Sequence, residues 1–225
     1  FRLTPRLAAA GRMRRAMPAL DLLLAQDSKT AQLTAAGLDG FNRQRQRHQE
    51  KAYLEALEQV EAAGPSRPLY VVTSDAWHQG VVGIIASKLA DRYCRPAAVI
   101  AVDGKGIGRG SVRSFAGVDV CVCLEAAAGL LLSHGGHPSA AGLTVVQENI
   151  PALAAHLERS VEAQYGVKGR PRHLVSVDAV VRLDEVVRLD EVDPRLVEEL
   201  ERVQPCGEGN PEPVLLATGV LVEES

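Results

Sequence analysis

The chain divides by the period of its hydrophobic positions. Leu20, Leu22, Leu23 and Leu24 predict a short apolar helix behind a basic turn within residues 1–26. Asp27 or Ser28 can cap a long helix running to about Ala63. At a rise of about 1.5 Å per residue it would span about 50 Å. Its middle, Asn42 to Lys51, is polar on every face, which fits a strut between domains better than a core helix. Gly64-Pro65-Ser66 ends it.

From residue 69 the pattern is that of an α/β unit. Leu69–Thr73 is a continuous apolar run of buried-strand type, and Val81, Ile84, Ile85 and Leu89 form one stripe of a helix over Gly80–Tyr93. Ala97–Val102 reads as a second strand, returning through Asp103-Gly104-Lys105-Gly106 into Ile107–Ser114. Asp119 caps a predicted helix through Leu132, Gly135-Gly136 is a turn, Ala140–Val146 a strand, and Asn149 caps a helix starting near Pro151. Residues 173–192 look β-rich and hold Val-Val-Arg-Leu-Asp-Glu-Val twice, at 180–186 and 186–192. Two copies are too few for a solenoid. Asp193-Pro194 opens a short helix, Pro205–Pro213 is turn-rich, and a last strand starts at Val214. That strand has few partners in the chain, which opens with Phe; a piece of a larger protein is expected.

Composition narrows the class. The 225 residues are 46% hydrophobic, enough for one large domain or two small ones, and not for wholesale disorder. No apolar run approaches the roughly 20 residues of a membrane span. Five arginines within Phe1–Arg15 and no signal-peptide core point to a cytoplasmic protein. Four cysteines at irregular spacing do not make a disulfide scaffold. The net charge of −3 hides an asymmetry. Residues 1–50 carry nine Lys and Arg against four Asp and Glu, whereas 175–225 carry four against thirteen. An anionic partner would therefore meet the front half.

Four segments carry candidate chemistry. In Gly104–Ser114, alternate glycines expose backbone amides while Arg109, Ser111, Arg113 and Ser114 add donors, a set that can cradle phosphate. Its bland counterpart is a glycine-rich hairpin with solvated arginines. His134-Gly-Gly-His-Pro-Ser139 lets backbone and imidazole approach a ligand at Gly135, Gly136 and His137, or is a tight turn. Cys121 and Cys123 with His134 and His137 could also be zinc ligands, although small buried thiols are commoner in such an apolar stretch. Asp75–Gly80 lies between a strand and a helix, where amides attract anions and His78 can donate; Trp77 reads as a packing anchor. Arg6 and Arg12 flank a small-residue turn and could aim at one anion. Asp-x-Asp, His-Glu-x-x-His and Gly-x-Ser-x-Gly are all missing. Read from residues alone, this is a phosphate-recognition surface without a visible catalytic engine.

Together the segments resemble the RecJ family of single-strand-specific 5′→3′ DNA exonucleases, within the DHH phosphoesterase superfamily. Phe1–Met13 resembles the end of the DHH domain, with Ala8 in place of the family's Asn. Trp77–Ser87 is similar to the opening of the DHH-associated domain. Gly110-Ser-Val-Arg-Ser114 is similar to its Gly-Ser-Gly-Arg-Ser motif, with Val112 replacing the middle glycine. Gly135-Gly-His137 with Ala140-Ala-Gly142 resembles its Gly-Gly-His motif, and Pro205–Pro213 the entry to its OB-fold, with Cys206 replacing an aromatic.

The resemblance implies an α/β fold with four parts. These are the tail of a DHH domain (1–26), a long connecting helix (27–64), a DHH-associated domain (65–166) and the beginning of an OB-fold (173–225). Manganese or magnesium would be held upstream, with no catalytic or metal-ligating residue in this chain, which would be inactive alone. Arg6 and Arg12 would face the substrate phosphate across a cleft, while Ser111, Arg113 and His137 clamp it from the opposite wall. Val112, which does not easily take φ > 0, would reshape the phosphate loop. Single-stranded DNA is the implied partner of a monomer in DNA repair and recombination, alongside a single-strand-binding protein and a helicase. The alternatives are a DHH-type phosphatase of short oligonucleotides or nucleoside bisphosphates, or a non-catalytic nucleic-acid-binding module.

Overall fold

The structure, a computed structural model, describes residues 3–168, 177–181, 198–199, 201–207 and 209–217. The chain forms two compact units, residues 1–172 and 173–225.

The first unit opens with helices α1 (Thr4–Met13), α2 (Met17–Leu24) and α3 (Ser28–Ala63). The expected basic turn is thus a helix. Pro5 sits in its first turn, where a missing N–H is harmless, and Leu7–Ala10 favour helix intrinsically. Asp27 caps α3 by accepting from the Thr30 amide at 2.8 Å, and Gly64 ends it at φ +81°. Thirty-six residues give about 54 Å. The middle of α3 is not simply solvated. Leu38, Asn42, Ala52, Ala56 and Val60 are buried, and half-buried Arg45 and Gln49 fill the gap in one stripe.

Five strands follow: β1 (Tyr70–Ser74), β2 (Ala97–Val102), β3 (Ile107–Arg113), β4 (Leu131–His137) and β5 (Ala140–Val146). They are ordered β1-β2-β3-β5-β4, with β1 and β2 parallel and the other pairs antiparallel. Helix α4 (Val82–Tyr93) crosses over between β1 and β2. With α3 it buries Tyr70, Val72, Ala97 and Val99 on one face. On the other face α5 (Val120–Ala126) and α6 (Ile150–Lys168) cover Ala98, Ile100, Val112, Leu143 and Val145. The Gln59 side chain closes the open edge of β1, donating to the Thr73 carbonyl at 2.9 Å and accepting from its amide at 3.0 Å.

Two predicted elements change type. The helix capped by Asp119 stops at Ala126, and after one 3₁₀ turn the chain enters β4, because pairing with β5 outweighs local helical preference. Gly135-Gly136 accordingly lies inside β4 and the reversal falls at Pro138-Ser139. Asn149 does not act as an isolated cap: its amide donates to the Leu130 carbonyl at 3.3 Å, tying the start of α6 to the chain before β4.

In the second unit β6 (Ala179–Val181) pairs in parallel with β7 (Leu215–Ala217). Asn210 ties the turn-rich loop by donating to the carbonyls of Val203 and Pro205 at 2.9 and 3.1 Å. Beyond Val180 and Val181 the duplicated heptapeptide lies outside the described residues, as does Asp193-Pro194.

Candidate nucleic-acid interface

Strand β3 alternates between two jobs. Gly108, Gly110 and Val112 face the core, where a Cβ on Gly108 or Gly110 would come within 2.8 or 2.9 Å of Ile100. These glycines admit packing, and their backbone is paired to β2 and β5. The expected backbone cradle for phosphate is therefore not formed. Val112 sits in ordinary strand register between Ala98 and Ala141 and reshapes no loop. Arg109, Ser111 and Arg113 point to the opposite face, beside α4.

There Arg113 donates to Ser111 Oγ at 2.6 Å and to the Val112 carbonyl at 3.1 Å. A Cβ on Gly83, in the first turn of α4, would lie 3.1 Å from the Arg113 guanidinium and 3.4 Å from Ser111 Oγ. The two side chains thus rest on a helix N-terminus that has no side-chain cap, where the first amides lack intrahelical partners.

Two further guanidiniums, Arg12 and Arg45, enter the electrostatics of this region. Burial, and secondarily the charge of Arg12, lower the affinity of both Arg113 and Arg45 for their protons. Arg45 reaches in from α3, donating to Gln49 and Asn42 at 2.9 and 3.1 Å, while its buried Nε has no partner among the described residues. A guanidinium nevertheless keeps its charge at neutral pH. Like charges held together in partial burial repel one another until an anion joins them.

His78 completes this end. Its Nδ1 accepts from the Gly80 amide at 3.0 Å, which leaves the neutral ring's proton on Nε2. Burial, then the His48 ring at 5.4 Å, push its pKa below the ordinary histidine value. A cleft of about 400 Å³ opens beside it, lined by His78, Gln79 and Arg109 among others, with Arg109 donating to Gln79 at 3.1 Å.

On the same face the sheet continues uncovered across β5 and β4. Register places Ser111, Gly142 and Gly135 in one row, and Arg113, Ala140 and His137 in the next. Gly135, Gly142 and His137 are exposed, and a Cβ on Gly135 would meet nothing within 4 Å. The result is a flat, glycine-floored shelf leading away from the guanidinium cluster.

The remaining candidates part from this site. Arg6 does not join Arg12: its Nε pairs with Asp39 at 2.9 Å, fastening α1 to α3. The Ser114 hydroxyl donates to the Val118 carbonyl. Gly136 faces away, and its φ of +150° together with a Cβ position 2.5 Å from the Ala140 carbonyl makes glycine a steric requirement there. His134, on the face opposite His137, lies 3.7 Å from Glu125. Cys123 is buried and accepts from Gln164 at 3.1 Å. Trp77 is buried and donates to Glu55 at 2.7 Å, a packing anchor as expected. Arg45 and His48 escaped the sequence reading. Their signal was a polar break in the otherwise apolar stripe of α3.

Residues 67–163 match the model of the DHHA1 domain, and residues 183–225 that of the RecJ OB domain. The single-stranded-DNA-specific exonuclease RecJ of Bacillus subtilis (strain 168) is 37% identical over 228 residues, which take in all of this chain and 28% of that protein. The chain belongs to the RecJ family. RecJ of Thermus thermophilus is 35% identical over 99% of the chain and 31% of its own length, so the chain spans about three-tenths of these relatives. The crystal structure of the RecJ–Mn2+ complex from Thermus thermophilus superposes with a TM-score of 0.80 at 33% identity, covering 96% of this chain and 31% of that one. A crystal structure of exonuclease RecJ bound to manganese gives 0.65 at 34%, covering 72% and 40%. A DHHA1 α/β domain followed by a RecJ OB domain is thus the architecture of this chain.

RecJ structures with Mg2+ or Mn2+ imply a divalent ion for the family. Among the described residues no group of three or more His, Cys, Asp or Glu could hold one, so these residues do not fit it. No described helix is long and apolar enough to cross a membrane.

Proposed function

We propose that this chain forms the substrate-holding part of a single-stranded-DNA-specific 5′→3′ exonuclease. The observation that carries the reading is Arg113 and Ser111 resting together on the first turn of α4, with the charge of Arg12 felt by both Arg113 and Arg45. A strand phosphate bound there gains charge-assisted hydrogen bonds, a hydroxyl from Ser111 and the amides of a helix N-terminus. Neutral His78 offers a donor without adding a fourth charge. The adjoining nucleotide lies along the floor of Gly142 and Gly135, toward His137. Residues 1–26 serve as the tail of the DHH domain, 27–64 as the connecting helix, 65–166 as the DHH-associated domain and 173–225 as the start of the OB-fold. From the names of the relatives and of their solved structures we carry over a single-stranded-DNA-specific exonuclease that works with manganese or magnesium, and from the family resemblance a role in repair and recombination. It acts as a cytoplasmic monomer, with a single-strand-binding protein and a helicase as partners.

Fluorescence anisotropy with 5′-phosphorylated, 5′-hydroxyl and duplex oligonucleotides at two salt concentrations tests this. The chain should prefer a single strand bearing a 5′ phosphate. Arg113→Ala should weaken that binding by roughly 10- to 150-fold, the worth of one charge-assisted contact of about 1.5–3 kcal/mol. Arg159→Ala, exposed on α6, should change it less than about twofold. Equal losses would mean diffuse attraction and end the proposal.

A further inference from the structure

A second cleft lies away from the shelf, against α3 and α4. It encloses about 720 Å³ and is lined by Arg43, Arg47, Gln49, Tyr53 and Lys88, with Glu50 its one carboxylate. Arg43 and Arg47 stand one helical turn apart, about 6 Å along the axis. Lys88 lies 5.0 Å over the Tyr53 ring, and the Tyr53 side chain raises the affinity of Arg92 for its proton, so two cations stand near the aromatic. Gln49 connects this groove to the guanidinium cluster, because it accepts from Arg45 at 2.9 Å and also lines the cleft.

We infer that the groove carries the sugar–phosphate backbone of the same single strand at nucleotides remote from the bound phosphate, with Arg47 and Lys88 neutralising phosphates and Tyr53 offering a face to a base. Cations along a groove with an aromatic platform are what sequence-independent single-strand binding requires. The inference rests on the cluster being a phosphate site, and its continuity with that site favours a nucleic acid over an acidic peptide.

The test titrates the full chain with a 5′-phosphorylated dinucleotide, which occupies the cluster alone, and with a twenty-nucleotide strand. Neutralising two contacts with Arg47→Gln/Lys88→Gln should flatten the slope of log affinity against log salt for the long strand by about 1.4, at about 0.7 per phosphate. The dinucleotide should bind as before. The reversal Arg47→Glu/Lys88→Glu should deepen the loss, with Trp77 emission reporting that both variants are folded. An unchanged slope, or parallel weakening of both lengths, would overturn the inference. So would loss of a fluorescent Glu- and Leu-rich peptide by the double variant with the long strand untouched, since the groove would then serve an acidic protein. Absence of any 5′-phosphate preference with the unaltered chain would instead remove the cluster as a phosphate site, and the length dependence would still judge the groove.

Discussion

Adjacent glycines in β4 should respond oppositely to one added methyl group. At Gly136 an alanine would need φ near +150° and would place its Cβ 2.5 Å from the Ala140 carbonyl oxygen and 2.6 Å from Ala141 Cα. Both neighbours are backbone of the paired strand, so relief requires β4 and β5 to separate. The dihedral costs about 1–3 kcal/mol and the overpacking a similar amount. A net loss of about 2–6 kcal/mol, at a urea slope of about 2 kcal/mol per molar, lowers the unfolding midpoint by about 1–3 M. At Gly135 the same methyl meets nothing within 4 Å, and stability should change by less than about 0.5 kcal/mol. That methyl, however, stands on the shelf floor beside Gly142, where crowding by about 1–3 kcal/mol would weaken single-strand binding roughly 5- to 150-fold. Urea titration followed by Trp77 emission and anisotropy on both variants read the two effects separately. Equal midpoint shifts would refute the register argument. A stable Gly135→Ala that binds like the unaltered chain would refute the shelf.

Gly80→Ala should destabilise the unit and reduce 5′-phosphate preference together, because its Cβ would fall 2.0 Å from the Arg12 carbonyl oxygen and force α1 away from α4; retained urea midpoint and binding would contradict that contact. His78 has a depressed pKa, so the folded state binds fewer protons than the unfolded one. Its contribution to stability is complete above the unfolded value near 6.5 and is lost as pH falls through the folded value. His78→Asn, which keeps an acceptor for the Gly80 amide, should therefore flatten the fall in urea midpoint between pH 7 and pH 5; an unaltered fall would assign it to other groups. Asp39→Asn should remove the Asp39 charge from both Arg6 and Arg43 at once, yet cost no more than about 1 kcal/mol because both pairs are exposed; a larger drop on thermal melting would mean that the pairs bear the packing of α1 on α3.

Much of this was legible in the chain. The span of α3 followed from an Asp cap, a Gly-Pro stop and uninterrupted helix formers between them. Strands β2 and β5 followed from apolar runs bounded by turn residues, and the DHHA1 and OB assignments from short motifs whose order is specific. Ser111, Arg113 and His137 stood out as candidates because their residue types suit phosphate. These are local properties, and local sequence carries them.

What the sequence could not decide was direction and company. A glycine in Gly104–Ser114 reads the same whether its amide is free for phosphate or spent on a neighbouring strand, and only the pairing of β3 with both β2 and β5 settled that. Gly135 and Gly136 are chemically identical, yet strand alternation gives one to the open face of the sheet and the other to steric necessity. Arg6 and Arg12 look equivalent until Asp39 pairs with one of them and the other places its charge where Arg113 and Arg45 feel it. Arg45, in a stretch that looks polar on every side, becomes a candidate because α3 packs so that it is half-buried and feels the charge of Arg12. Chain chemistry specified which groups could bind an anion, and strand register and helix packing, which act between residues distant in sequence, determined which of them point to the same place.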